Sequence, residues 1–153
     1  MPAGSERPAG AVPPLPRTYR PFGPRIAVLV FGTVLVGAFA FLWLSFDEPT
    51  RASVSWLQRS TVIGFILLAL ACMYAMARSR VEATDRGLVV VNGYRRRDLE
   101  WAEVVSVRMP PGAPWPTIDV SDGTTVSVMG IHGSDGARAQ AAVRELRALL
   151  AAR

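Results

Sequence analysis

Three hydrophobic periods follow one another along this chain. From Ile26 to Phe46 the sequence IAVLVFGTVLVGAFAFLWLSF runs for twenty-one residues without a charge or a Pro. As an α-helix it is ~32 Å long, enough to cross a hydrocarbon core of ~30 Å. A second uncharged run, Ser60 to Ala77 (STVIGFILLALACMYAMA), has eighteen residues. It measures ~27 Å as a helix, and Tyr74 is placed to anchor its far end. Two such runs in succession predict a transmembrane helical hairpin over residues 25–77, with spans at about 26–46 and 60–77. The connection Asp47–Arg59 is short and polar. Trp43 near one membrane end and Trp56 in the connection suit the headgroup level.

Beyond Arg78 the period falls to two. Val81–Thr84 is a short strand candidate, Asp85-Arg86-Gly87 a turn, and Leu88–Val91 a β-rich segment running into Asn92-Gly93, a strong hairpin signal. The return strand is Tyr94 to Trp101. A two-residue Asn92-Gly93 loop sets Val90 opposite Arg95 and Leu88 opposite Arg97, with Leu88, Val90, Leu99 and Trp101 on one face. Val104–Met109 alternates, with Val105, Val107 and Met109 on one side, until Pro110-Pro111-Gly112-Ala113-Pro114 breaks it. In the next hairpin a two-residue loop would mix apolar and polar residues on one face. A three-residue loop, Ser121-Asp122-Gly123, pairs Ile118 with Val126 and keeps that face apolar, so Gly123 is expected at positive φ. The last segment has the helical period. Ser134 is the expected cap of a helix over about 135–151, with Ala139, Ala142, Val143, Leu146 and Leu150 as its apolar stripe.

Residues 1–24 hold seven Pro and three Gly without apolar periodicity. They read as a disordered Pro-rich arm. All seventeen basic residues are Arg, and the net charge is +5. The excess is unevenly placed: +3 up to Arg25, zero in the Asp47–Arg59 connection, and +2 from Arg78 onward. Arg17, Arg20 and Arg25 precede the first span, and Arg78 and Arg80 follow the second. The positive-inside rule then places both termini in the cytoplasm and the chain in the plasma (inner) membrane as a multi-pass protein. Ala38-Phe39-Ala40 has the form of a signal-peptidase site, but the apolar run continues past it and is longer than a signal peptide's core. Cys72 is the only cysteine, so no intramolecular disulfide forms.

The succession VEATDRGLVVVNGYRRRDLEWAEVVSV, then IDVSDGTTVSV, then an amphipathic helix, resembles bacterial PH-like domains. In particular it is similar to the low molecular weight protein antigen 6 PH-domain family of actinobacterial membrane proteins. Thr84 through Leu88, Trp101 ahead of Val104–Val107, and Asp122-Gly123 carry the likeness, which covers about residues 60–150. The resemblance implies an α+β PH-like domain at 78–153, a bent antiparallel sheet or barrel of six to seven strands closed by the C-terminal helix. Six strands are placed above, and a break near Trp101 is the expected source of a seventh. The resemblance implies a binding or scaffolding fold. The basic residues of phosphoinositide-binding PH domains are missing from the first hairpin, where Arg86 stands alone, so headgroup recognition does not carry over.

Catalytic chemistry finds no support in the sequence. His132 is the only histidine and has no partner ligands for a metal. No nucleophile elbow and no phosphate-binding Gly-rich loop is present. No enzyme activity, cofactor or metal is expected. The sharpest polar feature is Arg95-Arg96-Arg97, a candidate electrostatic contact for anionic lipid or an acidic partner, partly balanced by Asp98, Glu100 and Glu103. Nucleic acid is not an expected partner, because no aromatic residues interleave with the arginines. Gly32, Gly37 and Gly64, with Ala38, Ala69 and Ala71, are candidate helix-packing positions. The leading expectation is a non-enzymatic, membrane-anchored PH-like binding module. The alternative is an accessory subunit that joins a larger membrane complex through its two spans.

Overall fold

The computed structural model describes residues 12–153. Two long apolar helices, α1 (Gly23–Ser45) and α3 (Trp56–Arg78), lie against each other, joined through the short α2 (Glu48–Ser53). Both are long and apolar enough to cross a membrane, and none of the residues in their apolar windows is buried within the protein. α1 starts three residues before the expected span and stops one short of its end, and α3 extends beyond its span at both ends. The connection is also more ordered than its polar composition suggests. Asp47 caps α2 by accepting from Thr50 N–H, and Ser55 and Gln58 form a reciprocal capping box at the start of α3.

Among the described residues seven strands form two antiparallel sheets. The first sheet has the order β1 (Arg17–Tyr19), β2 (Arg80–Ala83), β3 (Gly87–Asn92), β4 (Arg95–Glu100). The second has the order β5 (Val104–Arg108), β6 (Thr117–Val120), β7 (Thr125–Ser127). The two do not close into one hydrogen-bonded barrel. The helix α4 (Ala137–Ala151) packs along β5 and buries Ala139, Val143, Leu146 and Leu149. Leu88, Val90, Leu99, Ile118, Val126 and Val128 meet those side chains in one core.

The seventh strand lies where the sequence reading places none. Residues 1–24 read as a disordered arm, yet Arg17–Tyr19 forms β1 and pairs antiparallel with β2, Tyr19 opposite Val81. Residues 1–11 of that arm lie outside the described residues. The break near Trp101 is a single 3-10 turn, Trp101–Glu103, and contributes no strand. A three-residue strand is too short to display a period, so tertiary pairing alone selects it. Its burial is nonetheless firm. Tyr19 is 7 % exposed, its hydroxyl donates to Glu145 Oε2 at 3.0 Å, and the Arg17 guanidinium donates to both Glu145 oxygens. The entire α1–α3 hairpin is therefore inserted between two hydrogen-bonded neighbours of one sheet.

Three register expectations can be compared directly. The Asp122 turn has the expected three-residue loop, with Ile118 opposite Val126 and Gly123 at φ 82°. The first hairpin differs: its loop is Gly93-Tyr94, and Leu88 faces Leu99 while Val90 faces Arg97. A shift of two residues preserves which side chains point inward, so periodicity could not detect it. Asn92 decides the register from within β3, donating to Ser127 O and accepting from Met129 N–H across to the second sheet. In β5 the alternation is broken by a bulge at Val105. That residue is 62 % exposed while both Val104 and Val107 are buried, which replaces Val105 by Val104 on the inner face. The C-terminal helix starts later than expected. Ser134 sits in a separate 3-10 turn, Gly133–Asp135, and does not cap α4.

Tyr19 offers a direct test of the split domain. Removing its side chain with Tyr19→Ala should cost about 3 kcal/mol, read by urea unfolding in detergent, although the residue lies sixty positions from β2 in the chain. Burial, and then the neighbouring Glu145 carboxylate, push the phenol well above its ordinary value of 10.0. The folded state thus holds this proton at a pH where the unfolded chain releases it. Stability is lost as pH rises past the ordinary tyrosine value, and Tyr19→Phe should flatten that alkaline limb.

Candidate functional site

The structure brings chemistry together at the junction between the helical hairpin and the sheets. At one side the β3–β4 tip rests on α3. Tyr94 Oη donates to Ala71 O at 2.9 Å, about two turns inside the end of the helix. Gly93 N–H donates to Ser79 Oγ, and Ser79 Oγ in turn donates to Ala75 O. The Arg78 guanidinium lies over both the Tyr94 and Tyr74 rings, at 5.4 and 6.0 Å. At the other side Asp135 caps α1. Its two carboxylate oxygens accept from Phe22 N–H at 2.9 Å and Gly23 N–H at 2.7 Å. A helix starts with unpartnered N–H groups and a positive dipole end, so a carboxylate is the group suited to both. Gly23 is required for that approach, because a Cβ there would stand 2.9 Å from Asp135 Oδ1. Arg25 completes the clasp by donating from Nε to Ala77 O, one of the last carbonyls of α3.

The three arginines singled out in the sequence do not form one patch. Arg95 and Arg97 point to one side of β4 and Arg96 to the other. Arg96 pairs with Asp98 at 3.0 Å, and Arg97 reaches Asp122 and Thr124 in the β6–β7 turn. Asp122 is held below the usual carboxylate range, first by the Thr124 side chain and backbone and then by the Arg97 charge. Among the described residues Arg95 has no acidic partner, and it adjoins Tyr94 at the foot of the tip. The glycines also separate. A Cβ on Gly32 would meet Leu70 and Met73 of α3, whereas Gly37 and Gly64 meet nothing within 4 Å. Gly32 serves the contact between the two helices; the other two face away from the chain.

His132 is a capping residue, its Nδ1 accepting from Ser134 N–H at the 3-10 turn. Among the described residues no three His, Cys, Asp or Glu side chains come together to hold a metal ion. Sequence reasoning missed Asp135 and Tyr94 as anchoring residues. Asp135 carries a weak signal, an acid between two turn glycines, but its partner is more than a hundred residues away in the chain.

Residues 78–149 match the bacterial PH domain family. That segment, just under half of the chain, has the sequence pattern of a bacterial PH domain. Uncharacterised proteins of Mycobacterium tuberculosis (strains H37Rv and CDC 1551) and of Mycobacterium bovis are 37 % identical over 89 residues, covering 58 % of this chain. The match spans 56 % of the length of those relatives. No solved structure matches the chain. The resemblance to actinobacterial PH-domain proteins stands, and the two sheets with a C-terminal helix are the architecture it implies. The matched PH domain begins at the end of α3 and leaves out β1, which the structure adds to its first sheet.

The Asp135 clasp can be tested without knowing a ligand. In Asp135→Ala the Phe22 and Gly23 amides lose their acceptor. Their hydrogen exchange should accelerate about tenfold, the equivalent of ~1.4 kcal/mol, while amides of β6 and β7 keep their wild-type protection.

Proposed function

We propose that this chain is an integral inner-membrane protein whose PH domain is a non-catalytic binding module held flat against the cytoplasmic leaflet. The observation that carries this reading is the pairing of β1 with β2 across the α1–α3 hairpin. Strands that hydrogen-bond to each other lie on one side of any membrane the hairpin crosses. The residues before α1 and those after α3 therefore share a compartment. Apolar helices with no buried window favour spans over soluble core helices, since a core helix would be covered by the protein.

The charge distribution supports a cytoplasmic domain. Arg25, Arg78, Arg80 and Arg95 gather at the domain end of the helices. The two arginines of the connection are occupied in capping: Arg51 donates to Phe46 O, and Arg59 donates to Val54 O and Arg51 O. Arg59 also lies 5.2 Å over the Trp43 ring, an arrangement suited to the opposite headgroup layer. The domain's own contribution to binding is the β4 strand. Arg95 beside Tyr94 faces the leaflet, while Arg96 with Asp98 on one side of the strand and Arg97 with Asp122 on the other give β4 mixed charge for a protein partner. Bacterial PH domains suggest binding or scaffolding.

A second reading has its own observation. Gly37 and Gly64 are open to the outside of the hairpin, where a further transmembrane helix can approach closely. In that reading the chain is an accessory subunit of a larger membrane complex, and the PH domain is its cytoplasmic handle.

Topology is the first experiment. A reporter fused after Arg153 should be active only as a cytoplasmic enzyme, and one inserted within Pro49–Ser55 only as an external one. An external C-terminus would overturn the proposal. Site-specific photo-crosslinkers then separate the two readings. A crosslinker at Arg97 that captures a defined partner, while those at Gly37 and Gly64 return lipid alone, supports the PH module. The reverse pattern supports the accessory subunit.

A further inference from the structure

Two open hollows adjoin where α1 meets α4, and they share Phe22, Asp135 and Arg138. The first, about 590 Å³, runs down α1 along Ile26, Ala27, Val30 and Phe31 and is mostly apolar, with Ser134, Asp135 and Arg138 at its domain end. The second, about 320 Å³, lies above it against β1 and α4 and is edged by Arg20, Arg25 and Arg138. Arg138 stands at the divide, its guanidinium 4.6 Å over the Phe22 ring. Among the described residues none of these three arginines belongs to an ion pair. Among the described residues Asp135 is the one carboxylate lining either hollow, and both its oxygens are engaged by Phe22 N–H and Gly23 N–H.

We propose that this bipartite groove binds one anionic phospholipid, its phosphate held among Arg20, Arg25 and Arg138 and the upper part of an acyl chain laid along Ile26, Val30 and Phe31. The inference rests on the reading of α1 as a membrane span. Charge and depth both point to a lipid. Three cations facing one committed carboxylate leave an excess positive charge, which complements a phosphodiester and an acidic headgroup. The apolar limb from Ile26 to Phe31 covers only ~7.5 Å of helix, directly below the charged limb, so it starts at the depth where acyl chains begin. A soluble phosphate compound would use the upper limb and leave the lower one empty. The groove lies at the start of α4, away from the β3–β4 tip that rests on α3. A lipid there would be a wedge between the membrane helix and the PH domain, adding to the Asp135 clasp.

The test uses the full chain, purified in a zwitterionic detergent and examined by native mass spectrometry with phosphatidylglycerol or phosphatidylcholine added. The expected result is one phosphatidylglycerol retained, with at least about tenfold preference over phosphatidylcholine. Arg138→Gln should remove that preference, and Ala27→Trp, which fills the apolar limb without changing charge, should lower retention of phosphatidylglycerol. Arg144→Gln, on α4 outside both hollows, should behave as wild type. Thermal melts in the same detergent establish that each variant is folded. Equal retention of the two lipids, or an Arg138→Gln variant that is folded and unchanged, overturns the proposal. So does displacement of the lipid by millimolar inorganic phosphate or glycerol phosphate, which would make the upper limb a phosphate site alone. Resistance of the protein to alkaline extraction from membranes is measured in parallel. A resistant protein without lipid preference refutes the groove and leaves the spans standing, whereas an extractable one refutes the spans.

Discussion

The hydrogen bonds between Arg17–Tyr19 and Val81–Ala83 constrain everything else in this molecule. They join residues that are some sixty positions apart, with the whole helical hairpin in between. Such a pairing demands that the chain leave the sheet, travel the length of α1, turn, and come back within about 5 Å of its starting point. An even number of spans meets that demand, and so does a hairpin whose two helices are equal in length. Both α1 and α3 have twenty-three residues. The PH domain is thus not attached to the hairpin as a bead to a string. It contains the hairpin as the connection between its first two strands.

A connection of that kind must be held at its base, since both helices end beside a sheet and leave backbone groups without partners there. The sequence supplies a partner from the opposite side in each case. Asp135, at the entrance to α4, satisfies the first N–H groups of α1. Arg25, in the first turn of α1, satisfies a late carbonyl of α3, and Ser79 links the end of α3 to the β3–β4 tip. The signs agree with the helix dipoles, a carboxylate at a helix start and a guanidinium at a helix end. These bonds connect α1, α3, the β3–β4 tip and the turn before α4. Relative motion of helices and domain would break several of them together.

Much of this architecture was legible in the sequence, and the parts that were not share one cause. The two apolar runs, the inner faces of β3, β4, β6 and β7, the Ser121–Gly123 loop and most of the α4 stripe were readable because each is a local pattern several residues long. The two-residue slip of the first hairpin, the bulge at Val105 and the strand β1 were not. In each, the deciding contact lies on another element: Asn92 on β7, Val104 and Val107 against the core, Tyr19 on Glu145. Periodicity carries no information about such partners. The same holds for the candidate residues. A triplet of arginines in sequence becomes, on a strand, two side chains on one face and one on the other, with two of the three already paired. The arginines that converge in space, Arg20, Arg25 and Arg138, are dispersed along the chain.

The extent of the family match follows from this. It starts at the last residue of α3 and covers β2 through most of α4, a segment that looks self-sufficient in sequence. In the folded chain that segment has an open edge at β2, and Val81 and Ala83, both fully buried, owe part of their cover to β1. Glu145 would also face solvent without Arg17 and Tyr19. An uncovered edge at β2 would leave its backbone N–H and C=O groups without partners. The unit that buries its own edge therefore begins before the first apolar helix, and the hairpin belongs to the domain's interior topology. Completion of the sheet therefore depends on the whole hairpin: β1 comes first in the chain, and its partner β2 follows only after both helices.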